Sequence, residues 1–170
     1  MTILAQARKQ DALMSTSGTP KAFLNLQARE RRVVLASAAA LISTWIGLRL
    51  FGFPRWQKVL LRFSGNPQSP SPFSLEESKR LANLATATAR RFFLRTNCLE
   101  QSLVIWFLLR RRGVSPSLRF GGRKAGDQFE AHAWVECEGV VLNDEGSVRQ
   151  DFIPFEPRER PPIALEKYTR

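Results

Sequence analysis

The run from Asn97 to Gly113, NCLEQSLVIWFLLRRRG, decides the fold class, because the hydrophobic period changes soon after it. Asn97 is a strong N-cap residue, since its side-chain oxygen can accept from first-turn amides. Leu99, Leu103, Trp106 and Leu109 follow helical spacing in a strongly apolar body. That pattern predicts a helix buried along most of its length. Arg110, Arg111 and Arg112 stand at the negative end of the helix dipole, and Gly113 suits the residue that closes a helix. After Gly113 the period falls to two. Ser117–Gly121 alternates as a strand, Arg123–Asp127 reads as a turn, Phe129–Glu136 as a second strand and Val140–Asp144 as a third. Helices followed by an antiparallel meander predict an α+β domain.

Upstream, Leu26 to Leu50 favours a long helix, rich in alanine from Ala36 to Ala40. Gly52-Phe53-Pro54 should end or kink it. Arg55–Phe63 then reads as a short amphipathic helix with Trp56, Val59, Leu60 and Phe63 on one face. Ser64–Pro72 is a Pro/Ser-rich connector. Ser74-Leu-Glu-Glu77 is a capping box, and the helix it opens should reach about Phe93, with Leu81, Leu84 and Ala85 in its stripe. The expected organisation is a loose N-terminal extension over 1–24, a helical portion over 25–93, a catalytic core over 94–157 and a tail over 158–170.

Composition narrows the function classes. The chain has 170 residues, 44% of them hydrophobic, enough for one domain with a core. Lys and Arg number 26 against 15 Asp and Glu, a net charge of +11 that attracts anionic partners. A nucleic-acid module ranks low, because there is one Tyr and the Phe and Trp residues fall at core-like positions. Two cysteines and one histidine make neither a disulfide framework nor a structural zinc site. No metal or cofactor is expected, and the setting is expected to be cytoplasmic. Residues 1–21 lack the continuous apolar core of a signal peptide. Val33–Leu48 is uncharged but short of the roughly 20 residues of a spanning helix. It reads as a buried or interfacial helix, with basic residues on either side that are compatible with a membrane surface.

Three residues can carry chemistry together. Cys98 stands at the predicted first turn, where unpaired amides and the helix dipole favour a negative charge and hence a nucleophilic thiolate. His132, in Glu130-Ala-His-Ala-Trp134, is flanked by alanines that leave its ring approachable. Asp144 follows across a hairpin, where register decides its face. With a two-residue loop, Glu138-Gly139, Asp144 would oppose Ala133 and point away from His132. With a three-residue loop, Cys137-Glu138-Gly139, Glu136 pairs with Val140, Trp134 with Leu142 and His132 with Asp144. The second register is the expected one. Cys137 lies five residues from His132 and so on the opposite strand face, which makes it the non-catalytic cysteine. A helix-starting Cys, a strand His and a carboxylate on the next strand form a papain-type layout for acyl transfer, with one oxyanion donor at the Cys98 amide.

These segments also resemble a known family. Cys98-Leu-Glu-Gln-Ser-Leu103, Leu108-Leu-Arg-Arg-Arg-Gly113, Leu118-Arg-Phe-Gly-Gly-Arg-Lys124, Phe129-Glu-Ala-His-Ala-Trp-Val135 and Leu142-Asn-Asp144 are similar to the B proteins of lasso-peptide biosynthesis. The close likeness covers about residues 95–146. It implies a papain/transglutaminase-like core, a nucleophile helix packed on an antiparallel sheet, and a helical N-terminal layer. It also implies a cysteine peptidase that removes the leader of a ribosomally made precursor with the triad Cys98, His132 and Asp144. Glu100-Gln101 stands where Arg-rich variants of the family are common. Residues 1–90 lack the strand-rich pattern of a fused leader-binding domain, so the chain resembles the stand-alone peptidase half. The partners implied are the precursor peptide, a separate leader-binding protein (the RiPP recognition element) and the ATP-using lasso cyclase. A transglutaminase-like acyltransferase would use the same triad.

Overall fold

Three helices build one layer: α1 (Ala28–Ser64), α2 (Leu75–Arg91) and α3 (Cys98–Arg110). Behind α3 lies a four-stranded antiparallel sheet of β1 (Ser117–Ala125), β2 (Gln128–Cys137), β3 (Val140–Val141) and β4 (Ile153–Pro154), in the order β3-β2-β1-β4. A short helix, α4 (Val148–Asp151), precedes β4. The arrangement is α+β, as the sequence implies. This computed structural model describes residues 27–67, 71, 73–93, 95–125, 127–144 and 147–155. The expected extension over 1–24 and tail over 158–170 lie outside the described residues.

α1 kinks where the sequence places a break. Gly52 takes φ 71° and ψ 170°, and Pro54 follows two residues on. Proline has no amide to donate and its ring clashes with the preceding turn, so the helix must turn there, and glycine supplies the positive φ. Both arms remain helical. The second arm folds back so that the Trp56 ring sits on Gly47, where a Cβ would lie 2.2 Å from it. The first arm buries Val33, Ser37, Ala40, Leu41 and Thr44 while Leu35, Ile42, Ile46 and Leu50 stay exposed. By length and composition α1 could cross a membrane, with a mean hydropathy of 1.8 over its most apolar stretch, a third of which is buried in the protein.

α2 starts as read. Ser74 Oγ accepts from Glu77 N at 3.2 Å and Glu77 Oε2 from Ser74 N at 3.0 Å. It ends at Arg91 rather than at Phe93. α3 is the centre of the core: Leu103, Val104, Ile105, Leu108 and Leu109 are buried against α1, α2 and the sheet. Each such side chain is worth about 1.5–3 kcal/mol of burial, which makes this helix the organising element. The arginines at its end close the helical layer. Arg110 Nε donates to Ser64 Oγ at 3.0 Å, and Arg112 Nη1 donates to the Leu108 carbonyl at 3.0 Å. Arg119 and Arg123 pair with Glu136 and Glu130 on the neighbouring strand. These basic residues are therefore engaged within the fold.

The sheet departs from expectation in three places. β1 and β2 run on through the expected turn, with Arg123 opposite Glu130 and Lys124 opposite Phe129. β3 stops at Val141 instead of reaching Asp144. The sequence reading also lacks β4, which covers the outer edge of β1 by pairing Gly121 with Pro154 and Gly122 with Ile153. A two-residue strand has no detectable period, so only the waiting edge of β1 defines it.

Candidate active site

Cys98 is the first residue of α3, and its position is held from two sides. Asn97 Oδ1 accepts from Glu100 N at 2.9 Å while Glu100 Oε2 accepts from Asn97 N at 2.9 Å, a reciprocal capping box. The other oxygen of the buried Glu100 takes Arg49 of α1 at 3.0 Å. Glu100 thus locks the helix start onto the helical layer. The Cys98 thiol is free and half-buried, at the positive end of a helix dipole.

His132 lies mid-way along β2, with its side chain 23% exposed. The Phe152 ring stacks on the imidazole at 4.9 Å between centroids, and the fully buried Trp134 lies 6.3 Å away on the same strand face. The Arg123 guanidinium lies over Phe152 at 4.7 Å. Gly121, opposite His132 on β1, leaves room for Trp134, since a Cβ there would meet the indole at 2.9 Å. His132 Nε2 is in direct contact with Asp144 Oδ2. An ionised carboxylate only accepts, so this contact keeps the proton of the neutral ring on Nε2 and leaves Nδ1 to take another.

The hairpin register corrects the sequence reading. Cys137 pairs with Val140 and Glu136 with Val141, so the loop is Glu138-Gly139 and not Cys137-Glu138-Gly139. Glu138 and Gly139 both have positive φ, 50° and 76°. Such a two-residue turn matches the right-handed twist of the strands it joins. Continued, that register would put Asp144 opposite Ala133 and away from His132. It does not continue. Leu142 N donates to Val135 O at 2.9 Å, but the return bond to Val135 N comes from the Asn143 side chain, Oδ1 at 2.7 Å. The backbone leaves the ladder after Leu142, and Asp144 swings round the strand edge to His132.

The same edge meets α3. Ser102 Oγ donates to the Ala133 carbonyl at 2.9 Å and accepts from Asn143 Nδ2 at 3.0 Å. Ser102 stands one helical turn after Cys98, and Ala133 adjoins His132. His132 and Asp144 are thus brought into contact, and Cys98 is carried by the helix turn that docks beside them. No hydrogen bond joins Cys98 to His132 among the described residues. Sequence reasoning missed Ser102, Asn143 and Phe152. Ser102 reads as one more position in an apolar helix, and Phe152 follows elements too short to signal themselves.

Cys137 is buried on the opposite face of β2 from His132. Burial pushes its thiol above the ordinary value, and the charge of Glu138 adds to this. It is a poor nucleophile. Beneath Trp134, the buried Glu136 accepts from Trp134 Nε1 at 2.8 Å and Arg149 Nε at 2.7 Å, with Arg119 at 3.4 Å. Burial alone would push the Glu136 carboxyl up, but the bonds from Arg149 and Trp134 and the charges of Arg149 and Arg119 outweigh it and hold it below 4.5. A carboxyl depressed on folding stabilises fully above its unfolded value and progressively less as pH falls through its folded one. Stability should therefore drop as pH falls below about 4.5, and Glu136→Gln should flatten that drop in urea unfolding from pH 7 to pH 3. An equally steep acid loss in the Gln variant would assign it to other carboxylates.

Residues 40–156 match the model of a protein family described as the transglutaminase-like superfamily. No curated protein and no solved structure matches the chain. The matched span takes in the kinked end of α1, all of α2 and α3 and the whole sheet. The chain belongs to the transglutaminase-like superfamily.

Proposed function

We propose that this member of the transglutaminase-like superfamily is a cysteine peptidase that removes the leader from a lasso-peptide precursor, with Cys98 as nucleophile, His132 as base and Asp144 orienting the base. The observation that carries this reading is the contact of Asp144 with His132 Nε2, which turns Nδ1 into the working nitrogen. The likeness of residues 95–146 to lasso B proteins supplies the substrate class.

In this reading Nδ1 takes the thiol proton, and the Cys98 sulfur attacks the scissile carbonyl. The Cys98 amide, at the helix start, donates to the oxyanion. The tetrahedral adduct collapses as the carbon–nitrogen bond breaks and Nδ1 returns the proton to the leaving amine, which becomes the new N-terminus of the core peptide. Water, deprotonated by Nδ1, then attacks the thioester; the carbon–sulfur bond breaks, Nδ1 returns the proton to the Cys98 sulfur and the leader leaves as a carboxylic acid. Phe152 and Trp134 shield the ring from water, which strengthens the His132–Asp144 interaction. The precursor is delivered by a separate leader-binding protein, and the freed amine passes to the ATP-using cyclase. The setting is the cytoplasm, where precursors are made.

The test combines this protein, a lasso precursor and its leader-binding protein, with products read by mass spectrometry. Expected is a free leader acid from the parent and none from Cys98→Ala. A leader joined to an added amine, with little free acid, would instead identify an acyltransferase on the same triad. Cys137→Ser should cleave within about twofold of the parent, because a buried group that touches no reacting atom changes rates little. Loss of activity in that variant alone would mean that the nucleophile has been misassigned.

A further inference from the structure

All three proposed triad residues neighbour one small hydrogen-bonded cluster. β2 presents the amides and carbonyls of its odd residues to the β3 side, because Cys137 pairs there with Val140. β3 ends at Val141, so the ladder should leave Val135 N–H and Ala133 C=O bare. Two side chains take them instead: Asn143 Oδ1 at 2.7 Å from Val135 N, and Ser102 Oγ at 2.9 Å from Ala133 O. Asn143 Nδ2 then donates to Ser102 Oγ at 3.0 Å and joins the two. Ser102 is fully buried, and an unmade bond to a buried carbonyl costs about 1–3 kcal/mol, so the cluster has one satisfied arrangement.

Its geometry fixes three things at once. Ser102 sets how far the first turn of α3, and so Cys98, stands from β2. Ala133 sets the backbone on which His132 is mounted. Asn143 replaces the next ladder bond with a side chain, which lets the main chain turn out of the sheet and carry Asp144 to His132. A backbone ladder in the same register would put Asp144 on the wrong face.

We propose that Ser102 and Asn143 are positioning residues that set the Cys98–His132–Asp144 geometry. This rests on the triad assigned above. Besides Asp144, the charged groups on the His132 face of β1 and β2 are Glu130, paired with Arg123, and Glu136, paired with Arg149 and Arg119. Ser102 and Asn143 bond to the Ala133 carbonyl, the Val135 amide and each other, so removing the cluster acts through backbone geometry.

The experiment reads Cys98 directly, without substrate. In a Cys137→Ser background, the rate of Cys98 alkylation by iodoacetamide is followed from pH 5 to pH 10, with urea unfolding midpoints alongside. His132→Ala should lose the reactivity at low pH that a thiolate–imidazolium pair gives. Asn143→Ala and Ser102→Ala should lose it by roughly 10²-fold, the cost of a misplacement of about 1 Å. Asn143→Asp keeps the acceptor for Val135 N–H but not the donor to Ser102, and should fall between. It also serves as the folded reference should Asn143→Ala unfold. A changed profile in His132→Ala with parental profiles in Asn143→Asp and Ser102→Ala would overturn the positioning role and leave the triad standing. A parental profile in His132→Ala would overturn the triad itself.

Discussion

A Cys98→Ala protein is expected to unfold at the same urea concentration as the parent and to release leader about 10⁵–10⁶-fold more slowly. The kinetic half follows from the role proposed for the sulfur. Without it no acyl-enzyme forms, and the His132–Asp144 pair has only water to activate across an unassisted amide. The structural half follows from where the residue sits. Cys98 is half-buried at the first position of α3, and the helix start is held by the Asn97–Glu100 box and by Arg49 rather than by the thiol. Removing one exposed-side sulfur should cost under about 1 kcal/mol. The pair of measurements is a mass-spectrometric time course and an equilibrium unfolding curve. Residual cleavage within tenfold of the parent would mean that another group attacks the carbonyl.

Trp134→Ala should be the most damaging single change to the fold, at about 3–5 kcal/mol. Domains of this size have only about 5–15 kcal/mol to lose. The indole is fully buried against Gly121, and its Nε1 donates to Glu136 alongside Arg149 and Arg119. Alanine would leave a cavity and remove a hydrogen bond from a buried carboxylate at the same time. Trp134→Phe separates the two effects. It keeps most of the bulk and loses the N–H, so it should cost about 1–2 kcal/mol. Both are read as urea unfolding midpoints at pH 7. Equal losses for the two variants would show that the hydrogen bond, and not packing, fixes this position.

The consequences reach His132. Trp134 and Phe152 flank its ring, and Phe152 stands between α4 and β4, the latter pairing with β1 at Gly121 and Gly122. The fold and the site therefore share a wall. Opening it by removing Trp134 should also expose the imidazole to water.

Much of this was legible without coordinates, and the legible parts share a cause. Asn97 and Ser74 with their glutamates three residues on are local caps. Gly52 before Pro54 is a local break, and the apolar body of α3 is a local period. Each depends on residues within a turn or two, so the chain declares them directly. The helix that carries Cys98, the strand that carries His132 and the α+β order all follow. The hairpin does not. Its loop is Glu138-Gly139, the register that should separate Asp144 from His132, yet the two meet. What joins them is Asn143 bonding to Val135 and to Ser102, a residue 41 positions earlier. No local pattern encodes such a bond, because its partners become neighbours only when α3 docks on the edge of β2. The sequence by itself determined the three long helices, the two long strands β1 and β2 and the candidate residues for chemistry. Only the tertiary structure decided that β3 would stop early and that Asp144 would turn toward the histidine, since those choices depend on which buried polar groups must find a partner once the layers have closed.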